Sequence, residues 1–181
     1  MKRHISAPAA RWAGAAAGIA GGALLYRYDD PTDHGPWFLA LVAGLLVGAL
    51  VATWLTLETR PGWVGVGGFA LSAAALGIAF VGFLGIALSS SGGEAEVAVV
   101  ALPFAIVGGF MFALAVAFRH VRTPWSAGLW IAGAVLFLTT PAWSEGFGVA
   151  WILWGLALVA EGTVDLLAGA HIRRRLSRER A

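Results

Sequence analysis

Polar positions in this chain fall in short clusters, and the stretches between them are nearly unbroken apolar runs. A helix crossing a bilayer core of about 30 Å needs about 20 apolar residues at 1.5 Å rise each. Six stretches meet or approach that length: 9–25, 37–57, 63–88, 97–118, 125–141 and 147–170. The links between them are short, so no separate extramembrane domain is expected. The pattern predicts one all-α, polytopic membrane domain over 1–181, with six transmembrane helices in three hairpins. The first stretch is the weakest, because Ala and Gly gain little per residue in lipid. A signal peptide with Lys2, Arg3 and Arg11 as its basic region competes there.

Local signals mark several helix starts. Ser91 with Glu94 reads as a capping box, and Thr123 before Pro124 as an N-cap with proline at the first helical position. Pro36 and Pro61 open their helices in the same way. Pro103 falls inside the fourth helix, where it should kink the axis and leave a carbonyl in need of a partner.

Composition agrees with the pattern. The chain is 59% hydrophobic and 12% charged, where a soluble domain carries roughly 25% charged residues. So few charges could not cover a soluble surface, and the absence of cysteine excludes disulfide scaffolds and thiol chemistry. Charge placement sets the expected orientation. Lys2, Arg3, Arg11, Arg60, Arg119, Arg122, Arg173, Arg174, Arg175, Arg178 and Arg180 fall on one side, leaving only Arg27 on the other. Asp29, Asp30, Asp33, Glu94, Glu96 and Glu145 collect opposite them. Basic residues stay inside in short loops, so both termini are expected in the cytoplasm of a prokaryotic inner membrane. A five-span chain without the first helix would need an outside N-terminus, against its charges. The C-terminal arginines predict contact with anionic lipid headgroups. The bilayer is thus the main partner, with a membrane-protein partner or a second copy as further candidates, and nucleic acid is not expected.

Tryptophan follows an interfacial pattern. Trp12, Trp63 and Trp125 stand at the cytoplasmic starts of odd-numbered helices, and Trp37 and Trp143 near the outer interface. Trp130, Trp151 and Trp154 read instead as bundle filling. The odd helices begin alike, with Arg11-Trp12, Arg60-Pro-Gly-Trp63 and Arg122-Thr-Pro-Trp125, as a repeated hairpin would. Gly14, Gly18 and Gly22, then Gly44 and Gly48, then Gly65, Gly68 and Ala75, offer small faces for close helix packing.

Candidate chemistry is sparse. Glu161 and Asp165 are the two carboxylates inside an expected span, four apart and on one helix face. They stand roughly 18 and 12 Å up the helix from Arg173. Charged side chains at that depth are costly, about 2.5–3.5 kcal/mol each at the centre, so the pair should face the bundle or a water-filled cavity. Sharing one proton would lower that cost. Ser72, Thr53 and Thr56 lie at compatible depths, and no Lys or Arg is expected deep enough to pair firmly with either carboxylate. A proton or cation relay through Glu161, Asp165 and Ser72 competes with a structural role. His4, His34, His120 and His171 show no metal-ligand spacing, no phosphate-binding glycine loop is present, and no serine has a placed base. No catalytic residue, cofactor site or metal site is expected.

The run Trp125-Ser-Ala-Gly-Leu-Trp-Ile-Ala-Gly133 through Pro141, then Trp154-Gly155 through Glu161-Gly162, ending Ala170-His-Ile-Arg173-Arg-Arg, resembles the HdeD-like acid-resistance membrane proteins. The resemblance covers helices five and six, and implies a six-helix inner-membrane protein linked to stress, with no catalytic residues to carry over. Glu161 and Asp165 depart from that family's usual pattern. The expected function is a small non-enzymatic integral membrane protein, stress-related or accessory to a larger assembly. The alternative is a transporter or channel for protons, cations or small solutes.

Overall fold

The computed structural model describes residues 7–27, 35–57, 61–89, 94–119, 123–139 and 145–178. These form six helices: α1 (Ala7–Arg27), α2 (Gly35–Thr56), α3 (Gly62–Ser89), α4 (Glu94–Arg119), α5 (Pro124–Thr139) and α6 (Glu145–Arg178). No strand occurs among the described residues. Four helices, α2, α3, α4 and α6, are long and apolar enough to cross a membrane, and α5 is a shorter apolar helix. α6 continues past the expected end at 170 and carries the basic stretch as helix to Arg178.

The helix starts have local causes. Gly35 and Gly62 adopt φ of 75° and 72°, a left-handed turn into α2 and α3 that side-chain-bearing residues resist. At α5, the Thr123 hydroxyl accepts from the Ser126 N–H at 3.2 Å, which satisfies one of the orphan donors of the first turn. The expected capping box at Ser91 lies outside the described residues. Pro103 is inside α4, and the helix runs through it.

Each helix packs on its neighbours in sequence, and α6 closes the ring on α1. Contacts run antiparallel along this last seam: Gly14 approaches Leu158, Gly18 approaches Gly155, and Gly22 approaches Gly148. Backbones nearly touch there. A Cβ on Gly22 would stand 2.5 Å from the Gly148 carbonyl oxygen, closer than atoms allow. α3 meets α4 the same way, with Gly68 against Gly108. Gly44 faces the Phe80 ring, whereas Gly48 has nothing within 4 Å, so the expected second packing face is only half used.

Aromatic side chains fill the middle of the ring. Trp154 of α6 is the hub, with Phe112, Trp130, Phe137 and Trp151 at centroid distances from 4.6 to 5.9 Å. Edge-on and offset stacked geometries of this kind suit the ring quadrupoles. Trp54 and Phe69 extend the cluster toward α2 and α3. Trp130, Trp151 and Trp154 are therefore interior, while Trp63 and Trp125 are almost fully exposed at 92% and 85%. Trp12 and Trp37, also expected at an interface, are exposed to a lesser degree, and Trp143 lies outside the described residues.

Candidate functional site

α6 carries Glu161 and Asp165 one turn apart, on the face toward α1. Glu161 is buried and the Asp165 side chain is 23% exposed. Asp165 forms an ion pair with Arg11 of α1. Arg11 is itself buried, and its Nη2 donates at 3.5 Å to the Thr56 carbonyl at the last turn of α2. One guanidinium thus joins three helices. Its charge also sits at the carbonyl end of α2, where the helix dipole favours a cation.

This corrects the expectation that no basic residue lies deep enough to pair with the carboxylates. Arg11 reads in sequence as part of an N-terminal basic cluster. α1 begins at Ala7, however, so Arg11 is one turn inside the helix, and the long side chain reaches across the antiparallel seam to Asp165. Sequence spacing gives no hint of it, because 154 residues separate the partners. The nearest available signal is that α1 carries a basic residue one turn inside its start and α6 an acidic one before its basic end.

The hydroxyls near this seam are engaged with backbone. Thr53 donates to the Ala49 carbonyl at 2.8 Å and Thr56 to the Thr53 carbonyl at 2.7 Å. The Thr53 hydroxyl oxygen accepts from Trp154 Nε1 at 2.9 Å, tying the aromatic hub to α2. Polar contacts therefore run from Asp165 through Arg11 and Thr56 to Thr53 and Trp154. Ser72 stands apart from them. It is fully buried between α3 and α4, where its hydroxyl donates to the Ala105 carbonyl at 2.8 Å, and Gly108 packs against it. That bond lies two residues past Pro103 and braces α4 below the proline. The structure thus places Glu161 and Asp165 together with Arg11 on the α1–α6 seam, and leaves Ser72 in another helix contact.

Trp151 Nε1 is a different case, since this buried donor has no acceptor among the described residues. An open groove between α3 and α4, lined by Leu71, Ala74, Ile78, Val100 and Phe104 among others, is almost wholly apolar. Among the described residues, no group of three or more His, Cys, Asp or Glu side chains converges as a metal site would require. Comparison with family models, curated proteins and solved structures finds no match to this chain.

Proposed function

We propose that this chain is a small non-enzymatic integral protein of a prokaryotic cytoplasmic membrane, with six spans and both termini inside. It acts through contacts with other membrane components, as an accessory subunit, rather than by turnover or flux. The carrying observation is that the Arg11–Asp165 pair, the Arg11–Thr56 bond and the Trp154–Thr53 bond all join helices, around an interior filled with aromatic rings. A route for ions needs polar groups turned toward a wet path instead. The likeness of α5 and α6 to stress-linked membrane proteins extends the proposal to a role under stress. The basic end of α6 supplies an anchor on anionic lipid.

A transport reading draws on the same charged seam, since Asp165 keeps partial exposure at the cytoplasmic end. Reconstitution separates the two. Proteoliposomes carrying purified protein should pass protons and small cations no faster than empty vesicles under an imposed gradient. A protein-dependent flux abolished by Asp165→Asn would replace the accessory reading with the transport one.

A further inference from the structure

The contact between α3 and α4 is tight at one level and open at the next. Gly68 meets Gly108 backbone to backbone, and the Ser72 hydroxyl donates to the Ala105 carbonyl at 2.8 Å. Toward the start of α4 the two helices leave an apolar groove of about 240 Å³. Ala75 and Ala101 form its buried floor, and Ile78, Val100 and Phe104 flank it with exposed side chains. Small residues between large ones make a trough, and it opens on the outside of the ring. In a bilayer that side meets acyl chains.

The upper end of this trough sets it apart from a plain lipid-facing surface. The apolar span of α4 begins at Val100. Glu96 stands four residues before Val100 and Phe104 four after it, so all three share one face of the helix. That line passes from an acid to two apolar residues of the groove wall. The stretch 88–99 holds Glu94 and Glu96 and no Lys or Arg. A second acceptor comes from Pro103, which is exposed beside Phe104. Proline has no N–H, so the carbonyl of residue 99, one turn above, lacks its helical donor. Residue 99 is three past Glu96, on the same side of α4. At the edge of the hydrocarbon region such a carbonyl is best satisfied by a donor from outside the helix.

We propose that this groove seats one acyl chain of a phospholipid with a primary-amine headgroup, whose ammonium pairs with Glu96 and donates to the carbonyl of residue 99. The proposal rests on the membrane reading above and names one of the components this chain contacts. Charge and donors both select the headgroup. A primary ammonium is positive and carries three N–H donors, as a lysine does. A choline headgroup is positive at nitrogen but has no N–H to give. A glycerol headgroup has hydroxyl donors, but its lipid carries a net negative charge that two glutamates repel. The basic end of α6 has the opposite preference, so the two ends of the molecule sort different lipids.

Photoreactive lipids test this. Three phospholipid probes share one diazirine-bearing acyl chain and differ only in headgroup: ethanolamine, choline or glycerol. Each is added as a trace to phosphatidylcholine vesicles holding the full chain, and labelled peptides are mapped after irradiation. The ethanolamine probe should label 71–78 and 100–104 about threefold or more above the other two, the size an exposed ion pair supports. The exposed α2 residues Leu41, Val51 and Leu55 should be labelled alike by all three. Glu96→Gln should remove most of the ethanolamine excess. Ala74→Phe, at an exposed lining position, should fill the trough and abolish the excess while leaving α2 labelling unchanged. Equal groove labelling by the three probes overturns the proposal, as does an excess that survives both variants. If α2 is labelled and the groove shows no excess, the site fails while the chain keeps its place in the bilayer. Labelling of neither helix overturns the membrane reading as well.

Discussion

Among single residues, the tryptophans of α6 show how burial and bonding divide. Trp154 and Trp151 are both 1% exposed and stack on each other at 4.8 Å. Trp154 donates across the bundle to Thr53, whereas Trp151 has no acceptor among the described residues. An interhelical hydrogen bond in a membrane bundle contributes about 0.6 kcal/mol on average and up to about 1.7. A double-mutant cycle isolates it from ring volume. Trp154→Phe with Thr53→Val should show a coupling of about 0.6–1.7 kcal/mol in reversible unfolding from mixed micelles. Trp151→Phe with Thr53→Val should add simply. A coupling of zero in the first cycle would remove the bond from the account of how α6 is held to α2. The sequence separates these interior tryptophans from the exposed Trp63 and Trp125, because the latter follow Arg-Pro or Thr-Pro helix starts. It does not reveal which indole finds a partner, since Thr53 is 101 residues from Trp154.

Between elements, the α1–α6 seam depends on having no side chains where backbones meet. Gly22→Ala places a methyl group 2.5 Å from one backbone oxygen and 2.9 Å from a backbone nitrogen of α6. Backbone cannot step aside as a flexible side chain would, so the helices must part. Such overpacking costs about 1–3 kcal/mol. Gly48→Ala is the matched control, with open space within 4 Å of the added methyl. It should be neutral, or stabilising by up to about 1 kcal/mol through helix propensity. Unfolding midpoints of the two variants should therefore move apart, and equal midpoints would show that the seam tolerates separation. The helices themselves are legible in sequence, because long apolar runs broken by Gly, Pro and charge leave few alternatives. Their partners are less so. Short loops imply that α1 meets α2 and α3 meets α4, and so around the chain. That α6 returns to α1 follows only from closing the ring. Gly44 and Gly48 illustrate the limit: identical spacing to the α1 glycines, yet only one of the two meets another helix.

At the scale of the whole molecule, ring closure gives α1 a place that its own composition does not secure. It is absent from the helices long and apolar enough to cross a membrane unaided, and it carries a buried arginine. What holds it in the bundle is the glycine seam and the pair with Asp165, both made with α6. The proposed six-span arrangement draws on this seam, and its proposed orientation on the charge bias of the connections. With α1 spanning, the basic residues gather on one side and the acidic clusters at 29–33 and 94–96 on the other. Inverting the chain would carry nearly all the arginines across the bilayer, and removing α1 as a span would carry Lys2, Arg3 and Arg11 out alone. Because the chain lacks cysteine, single replacements read the outcome without background. Ser90→Cys, between α3 and α4, should react with a membrane-impermeant thiol reagent in intact cells. Ser177→Cys, near the end of α6, should react only once the membrane is opened. Labelling of Ser177→Cys in intact cells at the rate of Ser90→Cys would sink the arrangement. It would also remove the cytoplasmic setting assigned to the exposed edge of Asp165.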